Sequence, residues 1–469
     1  MTTTATRPGA PGEPRSPVRA EPPARPESRS GVAGLLELPG NAVRSVIRSA
    51  ATTPGRLSVI AVGLVLLALL TGLVGTLSVQ NKKDTINGLI DHREPLAAAA
   101  QQVYRSLSDA DATAASAFLS TGTEPPALRT RYEFDIAQAG AALAKAASDS
   151  AVAEAAKQVD TLARQLPVYA GLVETARANN RQGFPAGASY LRESSELMRA
   201  KILPAAQELY GIDTQRLSDE QDGTTGFPWG ATALVLALLA ALVVTQVYLQ
   251  RKTNRVLNVG LLVATGAVIV AMLWSVVALA VQGTLVADGK NFGTHQVDVL
   301  VRARIAALQA RADETLTLVA RGDGATYEKD FGVQAAQLVR PDGTGGLLGE
   351  LGGLSSAPDM TGHVNAAKEN AAAWLKAHVQ VRRFDDAGQY QEAVNLAIDV
   401  AKPDSGAAAF ARLDENLVAA INVGRQEFLD YTRNADRALT LLAPGFGVLA
   451  VIAAAGATIG IRERLREYR

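Results

Sequence analysis

Few residues in this sequence combine a type and a spacing that could do covalent chemistry. The 469-residue chain holds four histidines, His92, His295, His363 and His378, and no cysteine. No histidine stands at the short interval from a second ligand that tetrahedral zinc sites use, so all four read as surface residues. Without cysteine there is no disulfide, no thiolate ligand and no cysteine nucleophile. The glycine-rich stretch from Pro341 to Gly353 lacks the spaced Gly-Lys-Ser/Thr pattern of a phosphate cradle and reads as a floppy turn. Most acids have Lys or Arg within a few positions, the pattern of solvated helix faces. Neither an enzyme nor a cofactor is expected.

Two sets of residues remain, suited to contact rather than catalysis. Tyr132, Glu133 and Asp135 recur as Tyr327, Glu328 and Asp330, each trio near the start of a second helix. Acid at a helix start complements the helix dipole, which is a sufficient structural reason for it. The sharper expectation is a partner-binding tip. The other set is Arg251, Lys252 and Arg255, which have no acid beside them and form a candidate cytoplasmic contact.

The elements that position these residues are apolar runs. Four uncharged runs, 57–79, 230–249, 259–281 and 439–461, are long enough to cross a hydrocarbon core of roughly 30 Å as helices. Trp229 and Tyr248 flank the second run as interfacial aromatics do. The runs hold no Asp, Glu, Lys or Arg, which speaks against a transporter.

Charge sets an orientation. The 46 basic and 46 acidic residues balance overall but alternate along the chain. Residues 1–56 are net +4, 80–229 net −4, the loop 250–258 net +3, 283–438 net −5 and 462–469 net +2. Short basic flanks stay in the cytoplasm, so both termini and the 250–258 loop are expected inside a multi-pass cell-membrane protein. Segments 80–229 and 282–438 are expected outside. Large net-acidic domains on that side leave no nucleic-acid partner. The tail 1–50, rich in Pro and Arg, is expected to be disordered.

Both outer segments show apolar residues at three- and four-residue steps, as at Val103, Leu107, Ala110, Ala114, Ala117 and Phe118. Breaks at Thr121-Gly122, near Asp149 and at Gly183-Phe184-Pro185 divide the first into four helices. The second repeats it: Asp111-Ala-Thr113 before Gly122 resembles Asp313-Glu-Thr315 before Gly322, and Asn179 to Gly183 resembles Asp385 to Gly388. The fold class is therefore an all-α membrane protein with four transmembrane helices and two tandem extracellular up-down four-helix bundles, an internal duplication. The bundles are expected to share one fold and to pack side by side. Pro228 should break the join between the first bundle and span two, after which spans two and three would move as a unit.

The Pro/Arg-rich tail, the duplicated span–bundle–span unit, the basic loop Arg251-Lys-Thr-Asn-Arg255 and the end Arg462-Glu-Arg-Leu-Arg466 together resemble GlnX-type membrane proteins of actinobacteria. The resemblance covers residues 50–469 as architecture. It implies a signal transducer in glutamate or aspartate sensing. An extracellular solute-binding lipoprotein of the glutamine-binding type would dock on the bundles, and the Ser/Thr protein kinase PknG would receive the signal inside. Two other readings stand beside it. A chemoreceptor-like sensor that binds its ligand directly predicts a pocket between helices lined by Arg and aromatics. A membrane scaffold predicts tightly packed Ala-rich bundles without one. No oligomeric state is implied.

Overall fold

Two proline residues explain the first departure from regular helix. In the computed structural model, which describes residues 53–120, 124–148, 152–253, 258–340, 345–354 and 358–466, every regular element is a helix. Helix α1, Thr53–Gly88, runs through a widened π turn, Leu89–Arg93, into α2, Glu94–Leu119. Pro95 lacks an amide proton and its ring crowds the carbonyl four residues back, at Asp91; the wider turn relieves both. Pro204 does the same to the fourth helix of the bundle, where Ala186–Leu197, α5, passes through the π turn Met198–Ile202 into α6, Leu203–Thr225. Between them lie α3, Pro126–Ala146, and α4, Ala153–Arg181.

Gly183, at φ +73°, ends α4: Phe184 N–H donates to Asn179 O and Gly183 N–H to Asn180 O, a glycine C-cap that satisfies the last carbonyls. Gly388, at φ +77°, does the same in the second copy. The break expected at Gly183-Phe184-Pro185 is therefore present. The breaks expected at Thr121-Gly122 and at Asp149, the disordered tail 1–50 and Arg255 all lie outside the described residues.

After a three-residue break at 226–228 comes α7, Trp229–Thr253. The second copy comprises α8, Val259–Asp288, the π turn Gly289–His295, α9, Gln296–Val319, α10, Ala325–Leu338, α11, Gly346–Leu354, α12, Pro358–Asp386, α13, Tyr390–Ile398, α14, Gly406–Leu439, and α15, Leu442–Arg466. This copy corrects two expectations. Most of the supposed floppy turn 341–353 is helix α11, because Leu348 and Leu351 are apolar at adjacent turns and both are fully buried. The fourth helix is split at Asp399–Ser405, where Ser405 Oγ accepts from Ala408 N–H (3.0 Å) and caps α14.

Residues 60–469 pack as one unit. In each copy the first helix lies against the second and the fourth, and α2 of the first copy lies along α9 of the second. The buried side chains of both copies form one continuous core. With neighbours on every side, α9 is buried around almost its whole circumference from Val299 to Val319. Its Arg304, Arg311, Asp313 and Glu314 are carried into the interior with it.

Among the described residues four helices are long and apolar enough to cross a membrane. Glycines decide how they pack, since small residues let helix backbones approach closely. A Cβ on Gly260 in span three would lie 2.5 Å from Gly456 O in span four. Asn258 caps α8 by accepting from Gly260 N–H (3.1 Å), while its amide donates to Gly460 O (2.7 Å). Span one meets span four through Gly72 and Gly75, against Ala450 and Phe446. Span two has no such face: its one glycine, Gly230, has nothing within 4 Å. Span three packs most closely on span four and also touches span two. Gly260→Leu should therefore lower the thermal stability of the purified protein by about 1–3 kcal/mol through overpacking, whereas Gly230→Leu should leave the melting curve unchanged.

Candidate functional site

The residues brought together between the copies are charged and sit where α9 meets the first bundle. Arg304 is almost fully buried. It donates to Asp109 Oδ2 on α2 (2.9 Å) and to both oxygens of Asp414 on α14 (2.5 and 3.0 Å). Burial would lower its basicity, but the two carboxylates outweigh that and raise it. Arg131 on α3 reaches the same group, 3.3 Å from Asp109 and 3.8 Å from Asp414. Beside them, Asp135 is pushed up to about 7, by burial first and then by Asp109, against the opposing pull of Arg131 and Arg304.

A second link crosses about two and a half turns further along α9. Arg199, in the π turn after α5, donates to Asp313 on α9 (2.6 Å), lies 3.9 Å from Asp330 and stacks over the Tyr327 ring at 4.9 Å. Burial raises Asp313 to about 7 although Arg199 opposes it. Asp111, the first-copy counterpart of Asp313, meets no cation at bonding distance among the described residues. It accepts from Ser195 Oγ (2.9 Å) and Tyr169 Oη (3.3 Å), and burial raises its pKa.

The second bundle holds a buried ionic chain of its own. Glu314 is wholly buried and accepts from Arg311 (2.5 Å), Trp374 Nε1 (3.2 Å) and His378 Nδ1 (2.9 Å). The other ring nitrogen of His378 faces Glu328 (3.0 Å), which also meets Arg382 (3.4 Å), and the imidazole stacks on Phe331 at 3.6 Å. Burial works against both charges. The carboxylates nevertheless raise His378 to about 9, while His378 and Arg311 hold Glu314 down at about 2. His378 is thus not the surface residue the sequence suggested: α12 turns it inward, where a charged imidazole satisfies two carboxylates at once.

The six tip candidates separate accordingly. Tyr132 and Asp135 are buried, Tyr327, Glu328 and Asp330 are half-buried and engaged with Arg199, His378 or Arg382, and Glu133 is exposed in a pair with Arg129 (2.9 Å). Tyr132 lies nearly two turns into α3, which begins at Pro126, so the helix dipole does not account for Asp135. Arg251 is exposed at the end of α7; Arg255 and the side chain of Lys252 lie outside the described residues. Sequence reasoning missed Arg199, Arg304, Glu314 and His378. One signal for Arg304 and Arg311 was available: seven residues apart, they share the face of a helix whose other positions are apolar.

Where the bundles meet the spans, both fourth helices end and both ends are held by one helix. The ammonium of Lys82 on α1 donates to Thr224 O, the last turn of α6 (2.7 Å), and to Gln282 Oε1 (3.2 Å). Lys83 donates to Thr440 Oγ1 at the end of α14 (3.2 Å) and pairs with Asp436 (3.3 Å). A cation at a helix C-terminus complements both its free carbonyls and its dipole.

Two grooves flank the contact between the copies. One, of 1440 Å³, lies between α6 and the pair α9–α10; the other, of 650 Å³, lies between α14 and the pair α2–α3. Among the described residues no three His, Asp or Glu side chains are grouped to hold a metal ion.

No curated protein and no solved structure matches the chain. Residues 85–222, from the end of α1 to the last turn of α6, match the family model of the actinobacterial sensor domain. The matched stretch includes Asp109, Asp111 and Arg199 of the layer between the bundles. The first bundle is therefore similar to an actinobacterial sensor domain, set between two of four helices able to cross a membrane.

Proposed function

We propose that the protein is a transmembrane signal transducer that takes an input on its bundles and delivers it through its spans. The observation that carries this reading is the pair Lys82–Lys83. Both fourth helices break just before their spans, and neighbouring lysines on the one helix that runs unbroken into span one hold both broken ends. A shift of either bundle helix therefore pulls on the same turn of α1. A scaffold needs neither the break nor the shared grip. The sensor-domain match at 85–222 supports the same reading.

The resemblance to GlnX-type proteins supplies a finer version. A solute-binding lipoprotein loaded with glutamate or aspartate docks on the bundles, where Glu133 is exposed, and PknG receives the signal at Arg251, Lys252 and Arg255. The bundles then lie outside the cell and both termini inside. Kinase output in response to external glutamate tests this: changing Arg251, Lys252 and Arg255 to Gln should abolish it with membrane insertion intact, and unchanged output would reject the contact. Sidedness has its own test, helped by the lack of native cysteine. In whole cells Lys145→Cys should react with a membrane-impermeant thiol reagent and Thr253→Cys should not; the reverse pattern would overturn the topology. The 1440 Å³ groove, bordered by Arg302, Arg340, Tyr104 and Tyr210, favours a second reading, in which a ligand binds the bundles directly.

A further inference from the structure

Glycine contacts draw three of the spans together at the bundle side and leave span two standing off. A Cβ on Gly75 in span one would lie 2.8 Å from the Phe446 ring in span four, and one on Gly445 in span four would lie 2.5 Å from the Trp274 ring in span three. Gly230 in span two has nothing within 4 Å, and the chain before it is irregular at 226–228. A cavity of 60 Å³ lies where the four spans fail to close. Its walls are mostly apolar, with Val79, Val235, Met272, Leu279, Leu442 and Phe446 drawn from all four spans. Three hydroxyls also line it, those of Ser78, Thr232 and Ser275. Two of them are turned back onto their own helices: Thr232 donates to Pro228 O (3.1 Å) and Ser275 to Ala271 O (2.6 Å).

Lys82 is the one charged residue on this lining among the described residues. It is half-buried, three residues beyond the end of span one. An ammonium has three protons to donate, and Thr224 O and Gln282 Oε1 take two of them. No carboxylate lies within ion-pair distance of it among the described residues. Other acids of the junction hold other cations: Asp436 holds Lys83 (3.3 Å), Glu220 holds Arg93 (2.6 Å) and Asp222 holds Lys290 (2.7 Å). Phe227 and Val276 border the cavity from the side of spans two and three and are 45% and 55% exposed, so it opens outward between them. At 1.5 Å per residue Lys82 stands ~4.5 Å past span one, at the level of lipid headgroups, with the cavity at the level of the chains. The cavity is smaller than the ~150 Å³ apolar cavity that takes benzene. It therefore suits a stretch of unbranched alkyl chain and not a ring.

We propose that this cavity is a site for one anionic phospholipid of the leaflet that adjoins the bundles, with its headgroup at Lys82 and an acyl chain entering between spans two and three. One amphiphile answers both halves of the site. Its phosphate brings negative charge to an ammonium that has no carboxylate, and its chain fills an apolar gap that the spans leave open. A soluble anion would meet Lys82 and leave the gap empty. A zwitterionic headgroup carries its own cation and has less to gain from the lysine. The site requires only that the four helices cross a membrane, so it stands apart from the signal-transducer reading.

The test uses the full chain in phosphatidylcholine nanodiscs doped with a lipid that carries a diazirine in one acyl chain, either phosphatidylglycerol or phosphatidylcholine. Photolabelled residues are mapped by mass spectrometry. Labelling at Val235, Met272 or Leu279 should saturate near one lipid per chain and favour phosphatidylglycerol about fivefold, the scale of one lysine at an anionic lipid surface. Labelling at Leu66, on an exposed face of span one, should show neither saturation nor preference. Lys82→Gln should abolish the preference, while Lys82→Arg and Lys83→Gln keep it, which separates headgroup contact from release of the helix ends. Ala231→Phe, which fills the cavity and leaves the lysine in place, should remove the labelling without lowering the melting temperature. Equal labelling by the two lipids, labelling that never saturates, a preference that survives Lys82→Gln, or labelling indifferent to Ala231→Phe would overturn the proposal. So would displacement of the probe by oleate but not by unlabelled phosphatidylglycerol, which would assign the site to a free fatty acid.

Discussion

Arg304→Met is expected to destabilise the protein by about 3–5 kcal/mol, because it leaves buried acids without their counter-charge. Asp109 and Asp414 would face each other across the bundle contact with Arg105 and Arg131 as the remaining cations; Arg105 does not bond them, and Arg131 is half-exposed and reaches them at 3.3 and 3.8 Å. Asp135 stands beside them and would add to the repulsion. The loss should show as a lower denaturation midpoint and as separate melting of the two bundles. A compensated variant distinguishes this cause from simple loss of packing. Arg304→Met with Asp109→Leu and Asp414→Leu removes all three charges together, and replacing a complete buried group by apolar residues is often neutral or stabilising. If the triple variant melts no higher than the single one, unpaired charge is not the reason.

Glu314→Ala has the second largest expected effect, again about 3–5 kcal/mol, since it strands Arg311 and His378 in the core. Glu133→Ala, on the exposed face of α3, should cost less than about 0.5 kcal/mol. The pH dependence follows from the shifted groups. Glu314 is held at about 2, below its ordinary 4.5, so its contribution is complete above 4.5 and is lost as pH falls through 2. His378 is raised to about 9 from 6.5, so its contribution is complete below 6.5 and is lost as pH rises through 9. The chain Arg311–Glu314–His378–Glu328 is therefore strongest between pH 4.5 and 6.5. Asp135 and Asp313 act in the same direction, but between pH 3.8 and 7. Each is raised to about 7 from 3.8, so each favours the fold most below 3.8 and progressively less as pH rises through 7. Thermal melts should show stability falling from pH 6.5 to 9, and in His378→Gln the part of that fall between pH 7 and 9 should disappear.

The architecture was readable because it rests on patterns the chain repeats. Apolar runs fix the spans, three- and four-residue spacing fixes the bundle helices, and Gly183 and Gly388 end corresponding helices in the same left-handed turn. The charged layer was not readable, and the reason is physical. Charged side chains on a helix normally mark its solvent face, and that rule assigned Arg304, Glu314 and His378 to the surface. It fails for α9, which has neighbours on all sides because the two bundles pack through it. Burial there depends on contact between segments about 200 residues apart, which no local window contains. Leu348 and Leu351 were hidden by the glycines around them. The π turns at Pro95 and Pro204 did carry a local signal: a proline inside an otherwise continuous helical pattern.

The lysine grip also changes how movement would cross the membrane. Gly260 against Gly456 and the Asn258–Gly460 bond would hold span three to span four when span two moves. Span two, entered through the break at 226–228, packs on span three without a glycine contact and is the span expected to tilt. The measurement that tests this most directly is a pair of spin-label distances in the full chain in nanodiscs. One joins Tyr248→Cys in span two to Arg462→Cys in span four, and the other joins Val259→Cys in span three to Arg462→Cys. Each is recorded with Lys82 and Lys83 intact and with both changed to Gln. The account predicts that releasing the grip shifts or broadens the first distance and leaves the second unchanged. Identical distributions for the first pair with and without the lysines would contradict it.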